Sequence, residues 1–409
     1  MNERGRAYND LLARLDRTYL SERVLACTSK FYAAVSTACD IRCPYCPRQY
    51  HAPEISSGVM KLEDFRKLAP ALQYSAYTGL FGLGEPFLNR DFLEFIRLAK
   101  EAGAFTATST HGMSLTREAI ERLIELGLDE LEISIDAPKR RLFEFLRAGA
   151  KFDKVLAAAR NLRDRKAVLR KDKPRVFIGS VISRHNVRTM PALVELAKEL
   201  GAGRIVFTDL IIVDPNNKDL SVAGTRLMGK YVAKARKMAA QIGQDMAYFR
   251  QNPFPWTQGG GGPVRDLRTN EDAPIVACAP PVVEARDGHF GCPELWGALV
   301  VERNGDAKTC CYIADVMGNA FQTPPEEVEN GEPKRLLRRA QTLGQLPGPC
   351  RDCCNLIAAT PERVAKALED AATAADAAAS AAAITAAQRR DFETLLAQYR
   401  RLFSQREGF

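Results

Sequence analysis

Apolar positions along the chain follow two alternating rhythms. Short β-rich runs at residues 31–35, 75–81, 105–110, 131–135, 176–182 and 205–210 are separated by stretches in which apolar residues recur every three or four places. Those stretches predict helices over 90–101, 117–126, 152–163 and 190–200, and Gly103, Gly127 and Gly201 stop three of them. Strand–helix repetition of this kind specifies an α/β fold, a parallel sheet covered by helices. Six such units are too few to close an eight-stranded barrel, so an open partial barrel is expected.

The rhythm changes outside residues 29–215. A short amphipathic helix is expected over 5–20, within an N-terminal extension, 1–28. After Asp214-Pro215 a helix over about 223–242 leads into a loop-rich linker, 216–291, which contains the run Gly259 to Gly262 and shows no strand signal as far as Pro263. A small second module, 292–356, follows. Its strand over 298–302, the Asn304-Gly305 turn and a returning strand over 307–312 predict a β-hairpin, with a helix over 326–343 behind it. The tail, 357–409, reads as an alanine-rich helix, high in helix propensity but with little to bury.

Composition narrows the class. The 409 residues carry a formal charge of +8, with basic residues scattered rather than banded, which excludes a nucleic-acid-binding stripe. No run is apolar enough for a membrane span, and the N-terminus lacks a signal-like apolar core. With eleven cysteines and no secretion signal, metal sites in a reducing compartment are expected, and a cytoplasmic location with them.

The chemistry concentrates in Cys39-Asp-Ile-Arg-Cys43-Pro-Tyr-Cys46, a loop following the first predicted strand. Thiolates are the usual protein ligands of iron–sulfur clusters, four per cluster, so a loop supplying three leaves one iron open. Cys-x3-Cys-x2-Cys with an aromatic residue before the last cysteine resembles the signature of radical S-adenosylmethionine (SAM) enzymes. That resemblance implies a partial (β/α)6 barrel and a 4Fe-4S cluster held by Cys39, Cys43 and Cys46. It also implies SAM on the open iron and an electron donor of the flavodoxin or ferredoxin type. Gly82-Leu-Gly84-Glu85-Pro86 resembles the family's glycine–glutamate–proline element, with Gly84, Glu85 and Pro86 expected at the methionine ammonium. Tyr45 is expected beside the adenine. Leu-Glu-Ile-Ser134-Ile-Asp136 resembles the family's Ser-Ile-Asp, making Ser134 a cofactor contact and Asp136 a loop-shaping residue. Ser183, with Arg184 and Asn186, ends the fifth strand within reach of SAM or substrate. Ser109-Thr110-His111-Gly112 departs from the family's Thr-Asn-Gly at His111.

A second thiol set, Cys292, Cys310, Cys350 and Cys353, suits either tetrahedral zinc or a fully ligated cluster. Its order resembles the Twitch domain, a shortened SPASM domain with one auxiliary 4Fe-4S cluster. Cys311 and Cys354 adjoin two of the expected ligands. The resemblance suggests hydrogen abstraction from a small metabolite or a sugar- or cyclitol-like substrate, and a two-electron oxidation with the auxiliary cluster as electron acceptor. Redox-neutral epimerisation, group transfer, carbon–carbon bond formation and peptide modification are the alternatives, and a non-catalytic iron–sulfur or zinc protein ranks last. His185, Asp209 and Asp214 are candidate bases, Arg184 a substrate-orienting residue, and Cys278 a candidate hydrogen donor.

Overall fold

A computed structural model describes residues 3–50, 57–212, 215–249, 290–310, 315–344, 357–358 and 361–404. The six expected strands form as β1 (Lys30–Ala33), β2 (Tyr77–Leu80), β3 (Phe105–Thr110), β4 (Glu130–Ser134), β5 (Arg175–Ile182) and β6 (Arg204–Asp209). Each pairs in parallel with the next, and helices including Phe92–Glu101, Arg117–Glu125, Phe152–Leu169 and Met190–Glu199 cover one face.

Three features depart from the expectations. A seventh strand, β7 (Asp245–Phe249), pairs in parallel with β6 within the stretch expected to be strand-free linker. Met246 to Phe249 form a short apolar run, none of it fully buried, and the ladder to β6 fixes its conformation as a strand. Downstream lie β8 (Phe290–Gly291), β9 (Ala298–Val301), β10 (Asp306–Lys308), β11 (Gly318–Asn319) and β12 (Ile357–Ala358). The hairpin β9–β10 does form, but β9 also pairs in parallel with β1, so the second module is built onto the edge of the first sheet. The result is a ten-stranded sheet, β11-β10-β9-β1-β2-β3-β4-β5-β6-β7, with β8 and β12 paired separately. The expected helix over 326–343 divides into Pro325–Glu329 and Glu332–Thr342, where Asn330-Gly331 interrupts it and Pro333 starts the second segment.

The alanine-rich tail forms two helices, Pro361–Ser380 and Ala386–Ser404, separated by a turn in which Ala382 is left-handed. Both pack on the N-terminal helix Glu3–Tyr19 through a separate apolar cluster including Leu11, Leu15, Leu368, Phe392 and Tyr399.

Parallel register assigns every strand residue a face. Phe31, Leu80, Leu131, Ile133, Ile178, Ile205 and Phe207 lie buried toward the helices and form the main core. The opposite, lumen-side face carries Tyr32, Tyr77, Ser109, Glu132, Ser134, Phe177, Val206 and Thr208, all half-buried. An apolar face thus holds the sheet together, while a mixed polar and aromatic face is left for other uses.

Candidate active site

The loop after β1 is pinned from several directions. Arg42 N donates to Ala148 O (2.7 Å), Cys46 N to Cys43 O (3.1 Å), and Arg48 Nε to Thr37 O (2.6 Å). Cys39, Cys43 and Cys46 are half-buried and within electrostatic reach of one another. Burial pushes the Cys39 thiol up, and Glu85, Asp40 and Cys46 add to the rise. Cys43 is pushed up to about 11, chiefly by burial, with Arg147 opposing the shift.

Gly84 fits against this loop because it lacks a side chain. A Cβ there would lie 2.5 Å from both Ser36 O and Ala38 O, and the backbones are tied by Gly84 N to Ser36 O (3.1 Å) and Glu85 N to Ala38 O (2.8 Å). The close approach expected of this glycine is therefore to the cysteine loop itself. Glu85 is buried, and its carboxylate accepts from Thr110 Oγ1 (2.7 Å), His111 N (2.9 Å) and Phe87 N (3.3 Å). It braces the end of β2 against the end of β3. His111 Nδ1 accepts from Met113 N, which leaves Nε2 as the donor, 2.7 Å from Asp40 Oδ1 and 3.3 Å from Glu85 Oε2. Pro86 is buried and starts a short turn whose Asn89 donates to Val35 O and Met60 O.

At the next strand ends, Ser134 lies half-buried on the lumen side. Asp136 pairs with Arg147 (2.7 Å) and accepts from Val181 N, the shaping role expected of it. Ser183 is buried, and Asn186, also buried, ties Ser183 N to Asp136 O and Val181 O. His185 is exposed and stacks on Tyr45 (ring centroids 6.3 Å apart, planes 8° apart), with Phe145 against its edge at 5.2 Å. Arg184 is also exposed, its backbone fixed to Leu220 O. Asp209 lies on the helix side with Ile205 and Phe207 and accepts from Tyr248 Oη (2.8 Å), so it is turned from the lumen. Asp214 and Cys278 fall outside the described residues.

The second thiol set has two described members. Cys292 packs with Leu20, Leu295, Trp296 and Leu337, and Cys310 with Met317 and the same Leu337, so one side chain borders both. The pairing of β12 with β8 returns the chain from beyond Cys353 to a position next to Cys292. Cys311, Cys350, Cys353 and Cys354 lie outside the described residues. Behind this region Glu329 is buried with Lys334 (2.5 Å), Arg338 (2.8 Å) and Thr28 (3.1 Å) on its oxygens.

A family model described as "Radical SAM superfamily" matches residues 34–197, and one described as "Iron-sulfur cluster-binding domain" (SPASM) matches residues 292–354. The chain therefore carries a radical SAM domain followed by a SPASM iron–sulfur cluster-binding domain. Among curated proteins it is 30% identical over 179 residues to the PqqA peptide cyclase of Ruegeria pomeroyi, covering 42% of this chain and 45% of that one. It is 26% identical over 192 residues to the Fe-coproporphyrin III synthase of Methanosarcina barkeri, covering 46% of each. These matches span less than half the length of either relative. Among solved structures, Streptococcus suis SuiB bound to S-adenosylmethionine superposes with a TM-score of 0.56 at 16% identity, over 75% of this chain and 67% of that one.

The donor set fits the cofactors of a radical SAM enzyme with a SPASM domain: SAM, a 4Fe-4S cluster and an auxiliary iron–sulfur centre. Burial disfavours the thiolates of Cys39 and Cys43, and a cationic iron centre bound by them and the neighbouring Cys46 would stabilise that charge. Sequence reasoning missed Glu132, on the lumen-side face, and Arg147, whose charge acts on both Glu132 and Cys43. The alternation Leu131-Glu132-Ile133-Ser134 carries the signal for Glu132, because it puts the carboxyl on the same side as Ser134. For Arg147 no signal exists, as the pairing with Asp136 depends on the tertiary fold.

Proposed function

We propose that this radical SAM enzyme performs a two-electron oxidation of a substrate carbon bearing a hydroxyl or amine. The observation that carries the reading is the three-thiol loop at the end of β1, tied through Gly84 and Glu85 to the next strand ends. Cys39, Cys43 and Cys46 would hold the first cluster. Cys292, Cys310, Cys350 and Cys353 would hold the second. Held by those residues, the first cluster with SAM would supply hydrogen-abstraction chemistry, and the auxiliary cluster would supply a sink for the electron left behind. An external flavodoxin- or ferredoxin-type donor supplies the first electron.

The chain's own residues do the positioning. Tyr45, His185 and Phe145 form an aromatic wall beside the cysteine loop, suited to a flat ring such as adenine. Ser134 offers a hydroxyl at the mouth of the lumen. His185 is the proton acceptor of the proposal, since it is exposed at a strand end while Asp209 is turned away and already bonded. Arg184 would orient substrate, because its guanidinium stays charged.

The proposed substrate is a small polar metabolite. A peptide is the second reading, favoured by the 30% identity to a PqqA peptide cyclase. Anaerobic reconstitution with iron, sulfide, SAM and a reductant tests the proposal. The expected outcome is 5′-deoxyadenosine, together with a product lighter by two hydrogens, from an amino-alcohol or a peptide pool. An unchanged product mass would replace oxidation by epimerisation, and undiminished turnover in a Cys350→Ala/Cys353→Ala double variant would remove the electron-acceptor role.

A further inference from the structure

Glu132 is a carboxyl in the middle of the lumen-side face, with no hydrogen bond or ion pair among the described residues. It sits two residues before Ser134 on β4, about 7 Å deeper along the strand than the cofactor-side residues. Its register partners on the two flanking strands are Ser109 and Phe177. The space it occupies borders β5: a Cβ on Gly179 would lie 2.4 Å from Glu132 Oε1, so a side chain there would push the carboxyl aside. Aromatic rings share its face, with Tyr32 and Tyr77 at 5.8 Å between centroids. The cation nearest in its electrostatic surroundings, Arg147, is already paired with Asp136.

A half-buried carboxyl without a partner is costly, and a sheet face that makes special room for one is unusual as a purely structural device. We propose that Glu132 is the anchor for a protonated amine on the substrate, so that the enzyme acts on an amine-bearing compound. Carboxylate, hydroxyl and aromatic faces together form the usual surroundings of an organic ammonium. The ammonium would supply the positive partner that Glu132 lacks among the described residues. Burial raises the Glu132 carboxyl above the ordinary glutamate range, with Arg147 opposing and Asp136 adding to the rise, and a bound cation would reverse that shift. Tyr77, itself pushed up to about 12 by burial and the neighbouring Glu130 and Glu132, stays a neutral phenol beside the site.

This inference rests on the radical SAM reading of the lumen as the substrate chamber, and the two can fail separately. The test uses the reconstituted holoprotein with SAM and two probes of equal shape, cyclohexylammonium and cyclohexanol, with affinities from saturation-transfer NMR. Wild type is expected to prefer the ammonium by at least about tenfold. Glu132→Gln is expected to erase the preference while leaving SAM affinity and substrate-free 5′-deoxyadenosine formation unchanged. Gly179→Ala, which displaces the carboxyl without removing it, is expected to weaken the preference, and it serves as the second variant if Glu132→Gln folds poorly. Absent or equal binding of the two probes to wild type would overturn the proposal, as would an undiminished preference in both variants. Loss of SAM affinity in Glu132→Gln would overturn it too, by making Glu132 a cofactor contact. Failure to form 5′-deoxyadenosine in wild type would instead count against the broader enzymatic reading.

Discussion

The two cysteine sites are built in opposite ways. Cys39, Cys43 and Cys46 lie within one loop of eight residues, held by a backbone bond inside the loop, by bonds to Ala148 and the end of β2, and by Glu85. Cys292 and Cys310 belong to a module whose shape is set by contacts across the whole chain. Trp296 Nε1 donates to Ser21 O, Arg338 reaches Leu295 O and Glu329, and Asn330 bonds Val24 in both directions. Arg303, at the tip of the β9–β10 hairpin, reaches Thr37 beside the first loop and joins the two regions. A local site needs little more than its loop and one glycine. A nonlocal site needs a scaffold of buried charges, and disturbances far from its thiols should reach it.

The largest expected effect comes from removing a ligand of the local site. Cys43→Ala should lower 5′-deoxyadenosine formation to background and remove about four iron atoms per chain, the content of one 4Fe-4S cluster. Iron analysis beside a product assay checks this; retention of full iron would break the assignment of Cys43 as a ligand.

Next is the scaffold of the nonlocal site. Glu329→Ala strands Lys334 and Arg338, both fully buried, and should destabilise the protein by about 3–5 kcal/mol. If the contrast holds, the auxiliary cluster is lost first and SAM cleavage persists, which paired denaturation and iron measurements would show. Equal loss at both sites would mean that the regions fold as one unit.

Glu85→Ala probes the brace at the local site. It leaves the Thr110 hydroxyl and the His111 amide without their acceptor and should cost about 2–4 kcal/mol, with a matching loss of iron from the first cluster. Glu85→Gln keeps one acceptor oxygen and should lose less. A Glu85→Ala protein as stable as wild type would show that the cysteine loop needs no support from β3.

The smallest effect is a pH dependence of the nonlocal scaffold. Asp16 is fully buried, accepts from Leu25 N and Ala26 N, and is pushed up to about 6, mainly by burial. Between the ordinary carboxyl range and pH 6 the folded state therefore binds the extra proton. Stability should fall as pH rises through that window, by up to about 3 kcal/mol, and stay level above it. Asp16→Asn should flatten this slope while changing stability at pH 5 by about 1 kcal/mol or less. An unchanged slope would assign the dependence to another group.

The elements that were legible in the sequence are those whose signal is local. Alternating strands and helices fixed the parallel order of β1 to β6, because each strand's apolar residues must face the helices beside it. The three-cysteine loop was legible because its thiols are neighbours in the chain. Asp136 was legible as a loop-shaping residue, whereas the bonding of Glu85 by β3 was not, since Thr110 and His111 lie 25 and 26 residues away. β7 was missed because its apolar run, Met246 to Phe249, is too short to specify a strand by itself, and its ladder to β6 defines it.

By itself, then, the sequence determined the α/β order, the first cluster loop and the presence of a second thiol set, through periodicity and short spacings. Only the tertiary structure decided that β9 joins β1, that Asp209 turns from the lumen while His185 stacks on Tyr45, and that Glu132 lies against Gly179 with no partner among the described residues. The physical reason is the range of the interactions. Hydrophobic periodicity and ligand spacing are read along the chain, whereas strand register, buried ion pairs and the choice of sheet face arise between segments far apart in it.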